Sequence, residues 1–409
     1  MPSITKVYAN TPLNTTEIPQ KELDITHKLR HNPLKWQGQF SPQLVQTLLK
    51  HYATPDMVLF DPFLGSGTVL LEAGLAGLAA CGTEINPAAV MLARVYSFIN
   101  VSLPIRQHHL QTVFDKLQTM QEFEWGIVGV VTAEEVKTKL VKFRHCLTDC
   151  LQKQLLETLI VLLDFYEPDL SLNKVFTVWY KLKKLILELP FSARPLQIVQ
   201  ADARQTCLPA ASVNLVVTSP PYINVFNYHQ QYRASVEALS WDLLKVAPSE
   251  FGSNRKHRGN RFLTVIQFCL DMAQVFQELA RLTLPDSRLI FVVGRESMVL
   301  GTRFLNGQIV AEVAHNALGC NLLLRQERMF RNRFGQDIYE DILHFSVPQV
   351  KSCSQILDVA RSVAEATLTD SYTLASPDVK DGIKSALDNI AQVQPSPVFS
   401  LENVRKNNP

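Results

Sequence analysis

Met57-Val-Leu-Phe-Asp61-Pro-Phe-Leu-Gly65-Ser-Gly67-Thr68-Val-Leu-Leu-Glu72 is the stretch whose reading decides the fold. Its first five residues form a short apolar run ending in an acid and a proline, which reads as a buried strand. Glycines follow, and residues 69–80 are apolar and alanine-rich with helical spacing. Residues 80–85 make a second strand ending at Glu84, and residues 87–98 resume helical spacing. Strand, helix, strand, helix is the pattern of a parallel α/β sheet with covered faces.

Working outward, residues 103–189 are helical in pattern and contain glycine only at positions 126 and 129. This stretch reads as an inserted helical subdomain. Its Leu and Val stripes fit a docked helix face better than a recognition surface. The α/β pattern returns at Leu196-Gln-Ile-Val-Gln-Ala-Asp202 and at the apolar run 213–218. A helix is expected over 262–282, a strand over 288–294 and a helix over 304–318. Residues 322–329 and 341–346 form an expected closing antiparallel pair. The expected organisation is an N-terminal arm (1–30), a catalytic domain (31–100 and 191–348), the helical insert (101–190) and a C-terminal extension (349–409). That extension turns polar after Val350, and residues 395–409 are expected to fray.

Composition sets outer bounds. The chain has 409 residues, 46% of them hydrophobic, enough for a substantial core. No apolar run reaches the length of a membrane span, and residues 1–20 lack a signal-peptide core, so a cytoplasmic protein is expected. The net charge of +2 neither demands nor excludes a nucleic-acid partner, and local clusters must decide. The seven cysteines include no CxxC pair, so no metal site is expected and reduced buried thiols are the default.

Asp61-Pro-Phe-Leu-Gly65-Ser-Gly67-Thr68 lies between strand and helix. Glycines there let backbone approach a ligand, and free amides at a helix start favour an anionic group. Leu70 stands where a dinucleotide fingerprint would have its third glycine, and no Gly-Lys-Ser/Thr follows as in a P-loop. Glu84 ends the second strand, facing the same crevice, where an acid accepts hydrogen bonds from ribose hydroxyls. Asp202 ends the third strand and is placed to receive an adenine amine. Either acid alone reads as a solvated strand end. Together with the glycine loop, they point to a nucleoside cofactor.

Thr218-Ser219-Pro220-Pro221-Tyr222 ends the next apolar strand. The two prolines fix φ and remove two donors, leaving carbonyls free to accept. An exocyclic amine on a base has two protons to donate and a lone pair delocalised into the ring. Acceptance at Ser219 Oγ and the Pro220 carbonyl would draw the nitrogen toward tetrahedral geometry and expose the lone pair to a methyl donor. Tyr222 offers a flat face to a base taken out of a duplex. The competing reading is a rigid turn with a packed tyrosine.

With these residues in view, the chain resembles the amino-methyltransferases of DNA. Asp61-Pro-Phe-x-Gly-Ser-Gly-Thr is similar to their cofactor motif, and Thr-Ser-Pro-Pro-Tyr to their catalytic motif. Lys35-Trp-Gln-Gly-Gln-Phe40-Ser41-Pro42 resembles the upstream segment that closes over the methionine end of the cofactor. The resemblance covers roughly residues 32–346, without the helical insert. It implies a class I, Rossmann-like methyltransferase fold, a doubly wound seven-stranded mixed sheet with a reversed final hairpin. It implies S-adenosylmethionine as cofactor, held by Phe40, Ser41, Asp61, Phe63, Gly65, Gly67, Thr68, Glu84, Ile85, Asp202 and Ala203. Asp61 and the glycines would hold its methionine part, Glu84 the ribose and Asp202 the adenine. Ser219, Pro220, Pro221 and Tyr222 would be the catalytic set, acting without a covalent intermediate. Ser-Pro-Pro-Tyr is more typical of cytosine N4 methylation in this family, and Asp- or Asn-Pro-Pro-Tyr of adenine N6. Many relatives place the catalytic motif first, whereas here the cofactor motif comes first.

The implied partner is double-stranded DNA with a flipped target base; whether the protein acts alone or in a restriction-modification system beside a cognate endonuclease stays open. Whether the protein is a monomer or a dimer stays open. Ser253-Asn-Arg255-Lys256-His-Arg258-Gly-Asn-Arg261 is a basic run in which Arg255, Lys256, Arg258 and Arg261 are candidates for phosphate or guanine contact. Residues 227–233 either line the base pocket or cap the following helix. Arg328, Arg331 and Arg333 are further phosphate candidates. An adenine-N6 enzyme, an RNA base methyltransferase and a non-catalytic nucleic-acid-binding protein are the alternatives. No fused RNA-binding module is evident, and both motifs are intact.

Overall fold

A computed structural model describes residues 4–119, 132–168, 170–223, 227–252, 257–332, 334–348 and 355–404 of the chain. Nine strands are formed: β1 (Val58–Asp61), β2 (Ala79–Thr83), β3 (Leu196–Val199), β4 (Val213–Thr218), β5 (Thr283–Gly294), β6 (Glu296–Val299), β7 (Thr302–Leu305), β8 (Asn321–Arg331) and β9 (Asp337–Ser346). Seven of them make one sheet in the order β3-β2-β1-β4-β5-β9-β8, and β6 and β7 pair separately. β3, β2, β1, β4 and β5 run parallel. β9 lies antiparallel to β5, and β8 antiparallel to β9. This is the doubly wound, seven-stranded mixed sheet with a reversed final hairpin of the class I methyltransferase fold. The expected helix over 304–318 begins later, at Asn306–Leu318, because residues 302–305 pair with β6.

Both faces of the sheet are covered, and the period-two alternation of its strands supplies both cores. Leu289, Phe291 and Val293 of β5 face one core, and Ile290 and Val292 face the other. The first core packs the helix Leu263–Leu282 with Asn306–Leu318 and Ile356–Leu374. The second packs Pro42–Tyr52, Thr68–Leu75 and Pro87–Arg94.

Residues expected to form the helical insert fold as Leu103–Thr119, Ala133–Cys146, Cys150–Leu163 and Leu172–Glu188. Their apolar stripes, Leu110, Val113, Leu140, Leu155, Leu159 and Trp179 among them, are buried in the second core. Thr158 Oγ1 donates to the Met91 carbonyl at 3.0 Å, tying the insert to the helix beside the glycine loop. Cys146 and Cys150, which look like neighbours on one helix, instead end one helix and begin the next. Both are exposed free thiols, as is Cys207, while Cys81, Cys269 and Cys320 are buried.

The chain termini take part in the fold. Leu13 bridges to Arg325 and Ile25 to Phe330, so the N-terminal segment lies along β8 and covers the sheet edge. The polar region after Val350 carries the helix Ile356–Leu374, whose Ala360, Val363, Ala364 and Leu368 are buried. Fraying is the expectation from residue 395, yet Ser396, Phe399 and Val404 are buried there. The cause is a set of polar anchors on the sheet domain, described below. Residues 405–409 lie outside the described part. Among the described residues, no helix is long and apolar enough to cross a membrane.

Candidate active site

The strand order reverses between β1 and β4, which lie side by side and parallel. Helices following such a pair leave to opposite faces, opening a crevice at the carboxyl ends. Asp61 ends β1 and Thr218 ends β4. Thr218 Oγ1 donates to Asp61 Oδ1 at 2.7 Å, and the Phe63 amide donates to the same oxygen at 3.0 Å. The glycine-loop acid and the residue preceding Ser219 are therefore joined directly. Burial pushes the Asp61 carboxyl up to about 7, against the pull of these two hydrogen bonds.

The loop after β1 is held by the acid at the end of the next strand. Glu84 Oε2 accepts the Gly65 amide at 2.9 Å, and Glu84 Oε1 accepts the Asn86 amide at 2.8 Å. Burial raises Glu84 to about 7 as well. Gly65 takes φ +52° and faces the Trp36 ring. The segment 32–40 folds over this loop: Thr68 Oγ1 donates to Asn32 Oδ1 at 2.9 Å, and Gln39 Nε2 to Ser66 Oγ at 2.8 Å.

These elements enclose a cleft. The structure brings Phe40, Asp61, Phe63, Gly65, Thr68, Glu84, Ile85, Asp202, Ala203, Ser219 and Pro221 to its walls. Ser41 caps the helix Pro42–Tyr52 and stands outside the lining, as do Gly67, Pro220 and Tyr222. Gly67 is required for a different reason than ligand contact. It has φ +91°, its amide donates to the Leu64 carbonyl at 2.9 Å, and a Cβ there would meet the Tyr96 ring at 2.8 Å.

Asp202 sits at the cleft but its carboxylate is already engaged. Oδ1 accepts from the Arg204 amide and Nε at 3.0 and 2.8 Å. Oδ2 accepts from Arg204 Nη2 at 2.7 Å and the Phe399 amide at 2.9 Å. Arg204 also binds Asp271 Oδ1 at 3.0 Å and the carbonyls of Ser396 and Pro397. Ser396 caps Asp271 through its amide and hydroxyl, at 2.7 and 2.6 Å. Four donors already occupy its two oxygens, so the expected contact of Asp202 with an adenine amine would have to displace one of them. This network is also what keeps residues 395–399 from fraying.

Tyr222 is fixed rather than splayed. Its ring lies where Gly294 would carry a Cβ, 2.8 Å from that position. Its hydroxyl donates to Glu340 Oε1 at 3.1 Å and lies 3.4 Å from Ser219 Oγ. Glu340 in turn pairs with Arg328. Arg328 is buried in that pair, which removes it as a phosphate contact. Arg331 is exposed beside Asp337, and Arg333 lies outside the described residues.

Further aromatic residues complete the lining. Trp36 stacks with Tyr228, centroids 6.3 Å apart and planes at 12°, and Tyr232 donates to the Lys35 carbonyl at 2.9 Å. Residues 227–233 thus close on the upstream segment, with Tyr228 on the cleft wall. Phe251 meets Phe63 edge-on at 5.2 Å and lies under the Arg204 guanidinium. Glu250 lines the cleft beside it. Of the basic run, Arg258 is exposed and Arg261 half-buried, while Arg255 and Lys256 lie outside the described residues. Among the described residues no His, Cys, Asp and Glu cluster could hold a metal ion.

A family model described as DNA methylase, of N6/N4 type, matches residues 4–94. Type II methyltransferase M.BsoBI of Geobacillus stearothermophilus is 23% identical over 273 residues, covering 53% of this chain and 54% of that protein. Type II methyltransferase M.MjaII of Methanocaldococcus jannaschii is 35% identical over 65 residues, covering 16% of this chain and 12% of that protein. The chain thus spans about half the length of the first of these relatives and less of the second. A solved S-adenosylmethionine-dependent methyltransferase from Methanosarcina mazei is similar at a TM-score of 0.33 and 10% identity, over 73% of this chain and 95% of that one.

The DNA methylase match and the family of these relatives imply S-adenosylmethionine as the cofactor. The cleft fits such a group. Apolar walls from Trp36, Phe40, Phe63, Ile85 and Phe251 stand beside the acids Asp61, Glu84 and Glu250, a lining that suits a ligand with both apolar and hydrogen-bonding groups.

Proposed function

We propose that this chain, a DNA amino-methyltransferase by family, methylates the exocyclic N4 amine of cytosine in DNA. One observation carries the reading. Ser219 and Pro221 of the Ser-Pro-Pro-Tyr turn line one cleft with Gly65 and Thr68 of the glycine loop, and the two segments are joined by the Thr218 to Asp61 hydrogen bond.

Asp61, Gly65 and Thr68 would hold the methionine part of S-adenosylmethionine and Glu84 its ribose. When bound, that cofactor supplies an electrophilic sulfonium methyl. The protein's own work is positioning. Ser219 Oγ and the Pro220 carbonyl would accept hydrogen bonds from the two amine N–H groups and turn the nitrogen lone pair toward the cleft. Tyr222 directs its hydroxyl proton at Glu340, which leaves its oxygen free to accept from Ser219. Ser219 then presents lone pairs to the amine. The Trp36 and Tyr228 stack keeps bulk water from the cleft. The proton lost from the amine leaves through these acceptors to solvent.

Position also supports DNA entry near residues 257–261. A Cβ on Gly252 would meet the Tyr222 carbonyl at 2.5 Å, so the chain leading to the basic run abuts the catalytic turn. Arg258 and Arg261, with Arg255 and Lys256, are proposed to hold phosphates there. Ser219 favours cytosine, and adenine N6 is the second reading, because the type of the matched family covers both bases. Expression in a methylation-free host, followed by single-molecule sequencing of its DNA, tests the proposal. N4-methylcytosine in a fixed context is expected. Methylation confined to adenine N6 supports the second reading, and unmodified DNA overturns both.

A further inference from the structure

Among the described residues, one buried side-chain polar atom of the cleft lining has no hydrogen-bond partner. Glu250 is only 5% exposed and lines the cleft between Ser249 and Phe251. Its Oε2 lies 2.7 Å from Nδ1 of His229, itself fully buried. An ionised carboxylate only accepts, so the imidazole donates to Oε2 and fixes the carboxylate plane. The other oxygen, Oε1, is buried without a hydrogen-bond partner among the described residues. A buried carboxylate oxygen left in that state is costly unless a ligand satisfies it.

Asp202 is in the opposite condition. Both its oxygens are filled by Arg204 and the Phe399 amide. The acid expected to receive the nucleoside is thus closed, while an acid that no motif marks is open. Glu250 lines the same cleft as Glu84, the acid proposed to hold the ribose.

We propose that Glu250 Oε1 accepts a hydrogen bond from the nucleoside half of the cofactor, with His229 as its positioning residue and Asp202 serving as a clamp for the C-terminal strap. The proposal rests on the reading that the cleft binds S-adenosylmethionine. Two donors on that half have the required chemistry: the adenine amine and a ribose hydroxyl.

Glu250→Gln separates these cases and conserves shape. Its amide carbonyl cannot satisfy the cleft and accept from His229 at once. Accepting from His229 turns the NH2 into the cleft, where it opposes an incoming donor. Calorimetric titration with S-adenosylhomocysteine, on wild type and on Glu250→Gln and Glu250→Ala, reads the effect as affinity, with circular dichroism and thermal melts as folding controls. A loss of tenfold or more is expected for Glu250→Gln.

S-inosylhomocysteine, which has a carbonyl in place of the amine, then locates the contact. If the adenine amine is bound, wild type discriminates against the inosine analogue and Glu250→Gln reverses that preference. If a ribose hydroxyl is bound, the loss is equal for both ligands and shrinks with the deoxyribose analogues. A folded Glu250→Gln protein that binds S-adenosylhomocysteine within twofold of wild type overturns the assignment and leaves the cleft's function standing. Wild type that binds neither S-adenosylhomocysteine nor S-adenosylmethionine overturns both.

Discussion

Replacing Gly67 by alanine should damage the fold far more than the cofactor site, although Gly67 belongs to the cofactor motif. Gly67 has φ +91°, and a Cβ would stand 2.8 Å from the Tyr96 ring, 3.0 Å from Ala93 Cβ and 3.1 Å from Ala93 Cα. The left-handed backbone costs an L-residue about 1–2 kcal/mol, and overpacking a filled core adds about 1–3 kcal/mol. Gly67→Ala should therefore lose roughly 2–5 kcal/mol of stability, the sum of those two costs. Gly77 is the control, with φ +68° and nothing within 4 Å of its added Cβ. Gly77→Ala should lose only the backbone part, about 1–2 kcal/mol. Gly65→Ala, with φ +52° and Trp36 at an ordinary 3.5 Å, should melt like the Gly77 variant yet bind cofactor more weakly, because its methyl enters the cleft. Urea denaturation midpoints and calorimetric affinities for S-adenosylhomocysteine measure both quantities. A Gly67→Ala protein as stable as Gly77→Ala but unable to bind would refute the reasoning and return Gly67 to ligand contact.

Three further outcomes follow from the same geometry. Ser219→Ala should lower kcat about 100-fold, by loss of one acceptor aimed at the reacting amine, while the calorimetric affinity for S-adenosylhomocysteine stays within about twofold, since this acceptor's bond is worth little to ground-state binding; equal loss of both would remove Ser219 from its role. Asp61 and Glu84 are both raised to about 7 by burial, so near neutral pH each is partly protonated in the free protein. Cofactor binding that draws on their charged forms should release protons and tighten between pH 6 and 8, as read by titrations in buffers of different ionisation heat. The contribution of both acids to stability runs the other way: it is present below the unfolded carboxyl range and lost as pH rises through about 7. Arg204→Leu leaves the buried Asp202 and Asp271 without their cation, at a cost of about 3–5 kcal/mol, and limited proteolysis should then cut residues 390–404; an uncut, equally stable variant would show that the strap is held by other contacts.

Much of the sheet was legible because its central strands are short continuous apolar runs that stop at a proline-bearing turn. Val58–Asp61 and Val213–Thr218 announce themselves in that way, and their adjacency follows from the α/β pattern. β6 and β7 were missed because four-residue strands such as Glu296–Val299 and Thr302–Leu305 carry too few alternations to distinguish from the start of a helix. The polar stretch after Val350 misled by composition: Ala360, Val363, Ala364 and Leu368 are a core stripe spaced by polar residues. At the site, motif residues with local geometry were readable. The clamp at Asp202 was not readable because its partner Phe399 lies 197 positions away, a contact no local pattern encodes. Glu250 sits outside any periodic element or motif, so only the folded loops reveal that it lines the cleft, whereas Tyr228 falls in the 227–233 stretch, for which pocket lining was one of two readings.

The most direct test of the central claim is nucleoside mass spectrometry on unmethylated DNA incubated with purified protein and methyl-labelled S-adenosylmethionine, beside the Ser219→Ala variant. The shared cleft of the glycine loop and the Ser-Pro-Pro-Tyr turn predicts labelled N4-methylcytosine with wild type, and label reduced to near background with the variant. Label in no DNA base, or N4-methylcytosine formed equally by the variant, would contradict it.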